Sequence, residues 1–187
     1  MSYADNKRIA KNTIYLYIRT FVSMIVALYT SRKILETLGV DDFGIFNVVG
    51  GIISLMSFIN GSMSVATQRY LTYELGRGTE GQFNKVFNMA VYIHAIIAVI
   101  VLIAAETVGV WFVNTQLNIP EVRMEAANWV FQATILTTIL GILQTPYNAA
   151  IISHEHMHVY AYVGLGETFA KLFIVWGLFY YPYDRLA

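Results

Sequence analysis

Residues 86–113 read VFNMAVYIHAIIAVIVLIAAETVGVWFV, 28 residues with a single charged side chain, Glu106. At about 1.5 Å rise per residue such a helix reaches about 42 Å, more than the roughly 30 Å hydrocarbon core of a bilayer. Four further apolar stretches flank it, Thr13 to Leu35, Phe43 to Ser64, Trp129 to Ile152 and Tyr160 to Tyr181, separated by short polar turns. They are too long, and too rich in Leu, Ile, Ala and Met, for barrel strands of about 10 alternating residues. Helices remain, because lipid offers no partner to open backbone.

Composition agrees. Charged residues make up 13% of the chain, against roughly 25% in soluble domains, and mean hydropathy is +0.54. The expected fold is an all-α integral membrane bundle of about five transmembrane helices, forming one domain over residues 1–187. Zero Cys excludes a disulfide framework, thiol catalysis and Cys-based metal sites. Zero net charge gives no field directed at nucleic acid.

The first stretch follows Lys7, Arg8 and Lys11, but it exceeds a typical signal-peptide core and ends in Ser31-Arg32-Lys33 without a cleavage pattern. It reads as a retained signal anchor. A cytoplasmic N-terminus puts Lys7, Arg8, Lys11, Arg69, Arg77 and Lys85 inside, and Arg32, Lys33, Arg123 and Arg185 outside. Phe43, Trp111, Phe112, Trp129 and the Tyr180-Tyr181 pair fall near the expected helix ends, where amphipathic rings favour the interface. The turns are expected at Gly39-Val40-Asp41-Asp42, around Gly76, Gly78 and Gly81, and over Asn114 to Glu125, where Pro120 and Glu121 form a helix start.

Two helices carry polar faces. In the first, Asn12, Tyr15, Arg19, Ser23, Val26, Thr30 and Lys33 recur at spacings of three and four, on one side of the helix. In the second, Asn47, Gly50, Ser54, Ser57, Gly61, Ser64 and Gln68 do the same with smaller residues, a pattern that also serves close helix packing. Arg19 stands out, because an Arg near mid-helix costs about 2.5–3.5 kcal/mol on insertion scales and usually faces a bundle interior or aqueous cavity. Snorkelling to the headgroups is the competing reading, since only about two turns separate it from Asn12.

Glu167 and Lys171 lie one turn apart in the last stretch, in the acid-first order that favours pairing, as a structural pair or an ion relay. Pro146 interrupts the fourth stretch and predicts a kink, with Gln144, Thr145 and Asn148 available to freed backbone groups. His94 reads as a hydrogen-bonded interior residue, and Glu106 as interfacial.

His154-Glu155-His156-Met157-His158 satisfies HExxH, which on one helix supplies two zinc ligands and a carboxylate beside a metal-bound water. A catalytic site needs a third protein ligand. Glu167 and Asp184 are poor candidates, and the motif falls beside a turn, so no metal or other cofactor is expected.

Residues Asn6 to Thr13, the stretch Arg32 to Gly51 (RKILETLGVDDFGIFNVVGG), Ser64 to Leu75 and Pro146 to Tyr162 (PYNAAIISHEHMHVYAY) resemble Wzx-type bacterial polysaccharide flippases, the oligosaccharide branch of the MOP exporter superfamily. The resemblance is most specific in Leu-Gly-x-x-x-Phe-Gly at Leu38 to Gly44 and in the block Tyr147 to Met157. It implies a non-enzymatic transporter with two six-helix lobes around a cavity of alternating access, moving a lipid-diphosphate-linked oligosaccharide across the inner membrane for polysaccharide or lipopolysaccharide synthesis. The implied partners are membrane lipid, that cargo, a C-terminal lobe and other polysaccharide-assembly proteins. Five helices would be most of an N-terminal lobe. The cavity candidates are Arg19, Ser23, Thr30, Asn47, Ser54, Ser57 and Gln68. The related MATE-like exporters of cationic drugs usually need a buried carboxylate, which the first helix lacks. That antiporter, the zinc protease built on His154, Glu155 and His158, and a five-helix membrane scaffold are the alternatives.

Overall fold

The computed structural model describes residues 3–54 and 57–178, with side chains over 6–51 and 60–177. Every regular element in them is helical: α1 (Tyr3–Ser54), α2 (Ser57–Gly76), α3 (Phe83–Ala104), α4 (Val110–Thr115), α5 (Glu121–Ser153) and α6 (Met157–Leu178). A short 3-10 turn, Gly78–Glu80, precedes α3, and one π-helical turn, Ala105–Gly109, joins α3 to α4. The aromatic pair Tyr180-Tyr181 and the acid Asp184 lie outside the described residues, as do the side chains of Ser54 and Ser57.

The turn expected at residues 39–42 contracts to a single residue. Gly39 alone leaves helical geometry, at φ 79° and ψ 176°, and the helix resumes at once. Only Gly takes that backbone without steric cost. α1 therefore has two arms, 3–38 and 40–54. The loop expected over Asn114 to Glu125 also shrinks, because α5 begins at Glu121, at the helix start expected from Pro120 and Glu121 and ahead of the apolar stretch that opens at Trp129. The Arg123 N–H donates to the Pro120 carbonyl at 2.8 Å, and Glu121 sits at the positive end of the helix dipole. Apolar length sets the span of lipid crossed, whereas capping and helix propensity set where the helix starts, and here the two differ by two turns.

The chain divides into two compact units, 1–39 with 151–185 and 40–150 with the last two residues. In the first, the early arm of α1 packs in parallel with α6: Tyr15 meets His158 and Tyr162, with ring centroids 6.2 Å apart in each case, and Ser23 meets Thr168. In the second, Val49, Val113, Ala127, Phe131 and Ile135 form one buried cluster, and Ala98, Val101 and Ile142 another. Gly109, in the π turn, admits the Phe131 ring, since a Cβ there would stand 2.6 Å from Phe131 Cζ.

Burial runs against polarity. Asn12, Tyr15, Arg19, Ser23 and Thr30 lie on the half-buried side of α1, while Ile14, Ile18, Phe21, Ile25 and Leu28 are exposed. His94 and Thr145 are buried, while Ile96, Val99, Ile100 and Ile103 face outward. Water would penalise so large an apolar exterior, whereas hydrocarbon does not. Among the described residues three helical segments are long and apolar enough to cross a membrane: Asn6–Gly51, Phe83–Thr115 and Glu121–Ser153. The expected second and fifth spans each run into residues outside the described set, at 55–56 and beyond 178.

Candidate functional site

The first unit holds the most distinctive polar seam. Positions 157, 160, 161, 164, 165, 168, 172 and 175 of α6 recur at helical spacing as its buried or half-buried stripe, and the polar side of α1 lies on it. The register is close to constant: Arg19 touches Gly164, and Ser23 touches Thr168, four residues on in each helix.

Gly164 makes room for the cation. A Cβ there would overlap Arg19 Nε and come within 2.7 Å of Arg19 Cζ, so any larger residue displaces the guanidinium. Arg19 Cζ lies 4.2 Å from the centroid of the Tyr160 ring, a cation–π contact. Tyr160 is one turn before Gly164, so the side chain leans toward the N-terminal ends of both helices, as helical side chains do. It does so along the seam, between two helices, and combines the two readings open from its position in the sequence. Its Nε is buried without a hydrogen-bond partner, and among the described residues no carboxylate pairs with it. An unneutralised guanidinium flanked by an aromatic face is suited to binding an anion.

The Thr168 hydroxyl donates to the Gly164 carbonyl at 2.8 Å, which uses its one proton. The 3.0 Å contact between Ser23 and Thr168 therefore has Ser23 as donor. Thr30 folds back on the Val26 carbonyl at 2.8 Å. Glu167 and Lys171 are both exposed on α6. Of the expected cavity residues, then, the structure joins Arg19 and Ser23 in one seam and leaves Thr30 bonded to its own helix. Tyr160, Gly164 and Thr168 complete the seam. Their stripe was visible in the sequence as an aromatic, a glycine and a hydroxyl at a spacing of four.

The remaining candidates belong to the second unit. Asn47 is exposed and donates to the Phe43 carbonyl at 2.7 Å, while Gln68 is half-buried on α2. Pro146 is fully buried within α5. One residue earlier, the Thr145 hydroxyl sits 3.0 Å from the Gly141 carbonyl and 2.8 Å from Asn60 Oδ1, tying α5 to α2. His94 is the interior residue expected, with Nδ1 2.8 Å from the Ala90 carbonyl. It lines a cleft of about 300 Å³ with Thr67, Tyr70 and Met89.

HExxH does not lie on one helix. α5 ends at Ser153 and α6 begins at Met157, so His154 and Glu155 are in the turn and His158 is in the helix. The His154 and His156 rings stack with centroids 6.1 Å apart, His156 meets His158 edge-on at 5.8 Å, and the Glu155 carboxylate is engaged by Arg8. Among the described residues no three His, Asp or Glu side chains converge as a metal site would need. Compared with family models, curated proteins and solved structures, the chain matches none.

Proposed function

We propose that the chain is the N-terminal part of a lipid-linked oligosaccharide flippase of the bacterial inner membrane, with its N-terminus in the cytoplasm. The resemblance carried by Leu38 to Gly44 and Tyr147 to Met157 suggests the class. The observation that supports it in three dimensions is Arg19: a half-buried guanidinium with no carboxylate, in a molecule whose exterior is apolar. A cation left unneutralised at that cost suits an anionic cargo, and the diphosphate of a lipid-linked glycan is one.

Five crossings fit the packing. The early arm of α1 and α6 run in parallel, so if both cross the bilayer an odd number of crossings separates them. The second apolar stretch of the sequence, the α3–α4 run and α5 would supply three. Arg8 and the α5–α6 turn then share one membrane face, joined by the Arg8–Glu155 pair. That face also receives Lys7 and Lys11, which favours the cytoplasm.

In this reading the seam binds the phosphate while the remaining lobe rocks around it, and no covalent bond is made or broken. The test is export of surface polysaccharide by the complete protein. Arg19→Ala lowers export at unchanged membrane abundance, and Arg19→Lys restores part of it, because charge survives but the planar fork does not. Unchanged export in both variants removes Arg19 from the cargo path. A MATE-like exporter of cations is disfavoured, since Arg19 would repel its substrate.

A further inference from the structure

Beside the seam, the first turns of α1 carry a further concavity of about 440 Å³, lined by Lys7, Ala10, Lys11, Ile14 and the seam residue Tyr15. Lys7 and Lys11 stand one turn apart, both are exposed, and neither pairs with a carboxylate among the described residues. Lys11 Nζ is held 6.0 Å from the centroid of the Tyr15 ring. Ala10 and Ile14 make the floor apolar.

The groove does not end at Ile14. Stepping by four and three from the lysines, the same line of the helix carries Ile14, Ile18, Phe21, Ile25 and Leu28, every one of them exposed. From Ile14 to Leu28 this apolar track is about 21 Å long at about 1.5 Å per residue. One leaflet is about half of the roughly 30 Å hydrocarbon core. Two ammonium groups thus sit at one end of an uncovered apolar track long enough to follow an acyl chain through its leaflet.

We propose that this line of α1 is a docking site for an anionic glycerophospholipid of the surrounding bilayer. Lys7 and Lys11 hold the phosphate, Ala10 and Ile14 receive the start of an acyl chain, and the track up to Leu28 carries the rest. Charge complementarity selects the headgroup, and the contiguous apolar track selects a lipid over a soluble anion or an acidic peptide, which would leave that track uncovered. The inference rests on membrane insertion but not on the cargo or on transport.

The test is electron paramagnetic resonance on the full chain in phosphatidylcholine vesicles doped with spin-labelled phosphatidylglycerol or spin-labelled phosphatidylcholine. The fraction of immobilised label reports lipid held at the protein surface. The wild type is expected to prefer phosphatidylglycerol. Lys7→Gln with Lys11→Gln is expected to weaken that preference by about thirty-fold, the effect of two near-surface cations. Lys7→Arg with Lys11→Arg is expected to keep it. A preference that survives the Gln pair, or that is absent from the wild type, overturns the site, and so does loss of preference in the Arg pair. Alkaline carbonate washing separates the two failures: a chain that stays in the vesicles without preference sinks the lipid site alone, and a chain that washes off sinks the membrane reading with it.

Discussion

Arg8 grips Glu155 through both ends of its guanidinium fork, Nε to Oε2 at 3.0 Å and Nη2 to Oε1 at 3.4 Å, across 147 residues of chain. Among the described residues, Glu155 is the only non-glycine with positive φ, at 58°. The residue most tempting as a catalytic base is thus a turn residue in a left-handed conformation, tied to the start of α1.

This geometry predicts opposite responses at one position. Glu155→Gly loses an exposed ion pair, generally worth about 0–1 kcal/mol, but releases left-handed strain of about 1–2 kcal/mol, so its stability should equal or exceed that of the wild type. Glu155→Val loses the pair and adds β-branched strain, and should be less stable than Glu155→Gly by about 1–2 kcal/mol. Thermal unfolding in detergent checks the order. A Gly variant less stable than the Val variant would contradict the strained turn.

The fit of Arg19 against Gly164 predicts coupling. Gly164→Ala forces the guanidinium aside and is expected to cost about 1 kcal/mol, the low end for overpacking, because the atoms displaced belong to a flexible side chain. Combined with Arg19→Ala, the same substitution should cost almost nothing. A double-mutant cycle in unfolding free energy reads this directly, and strictly additive effects would mean that the two residues do not share the space.

Gly109 faces a stiffer neighbour. The Phe131 ring is buried in the main cluster of the second unit, so Gly109→Ala should destabilise by about 1–3 kcal/mol, and adding Phe131→Leu should recover part of the loss. Equal stability of Gly109→Ala and wild type in chemical unfolding would rule out the close approach.

Asp42 and Arg123 link the later arm of α1 to the first turn of α5 at 3.1 Å, with the Asp42 side chain only 11% exposed. Arg123→Gln leaves that carboxylate without its cation and should cost about 1–3 kcal/mol, whereas Asp42→Asn with Arg123→Gln should be closer to wild type. Unfolding midpoints of Asp42→Asn, Arg123→Gln and the double variant test this. A double-variant loss equal to the sum of the two single losses would show that the pair contributes no coupling.

The helical class, and a helix apolar enough to cross a membrane over residues 86–113, were legible in the sequence, because a run with a single charge carries its own solvent preference and needs no tertiary partner to be read. The polar side of α1 was legible for the same reason: a spacing of three and four is a local property. So was Pro120 followed by Glu121 as a helix start. The one-residue break at Gly39 was not, since a Gly before two acids looks the same whether the chain loops or a helix resumes after a single left-handed residue.

What lies opposite each face could come only from the fold. Whether Arg19 meets a carboxylate, a ring or lipid depends on α6, more than 130 residues further on. That it meets Tyr160 and the gap at Gly164 follows from the register of two packed helices. Glu155 shows the same division: its motif suggested metal chemistry, and the tertiary structure gave its carboxylate to Arg8 instead. Local periodicity is encoded within a few turns, whereas the partner of a charge is settled by contacts between residues far apart in the chain.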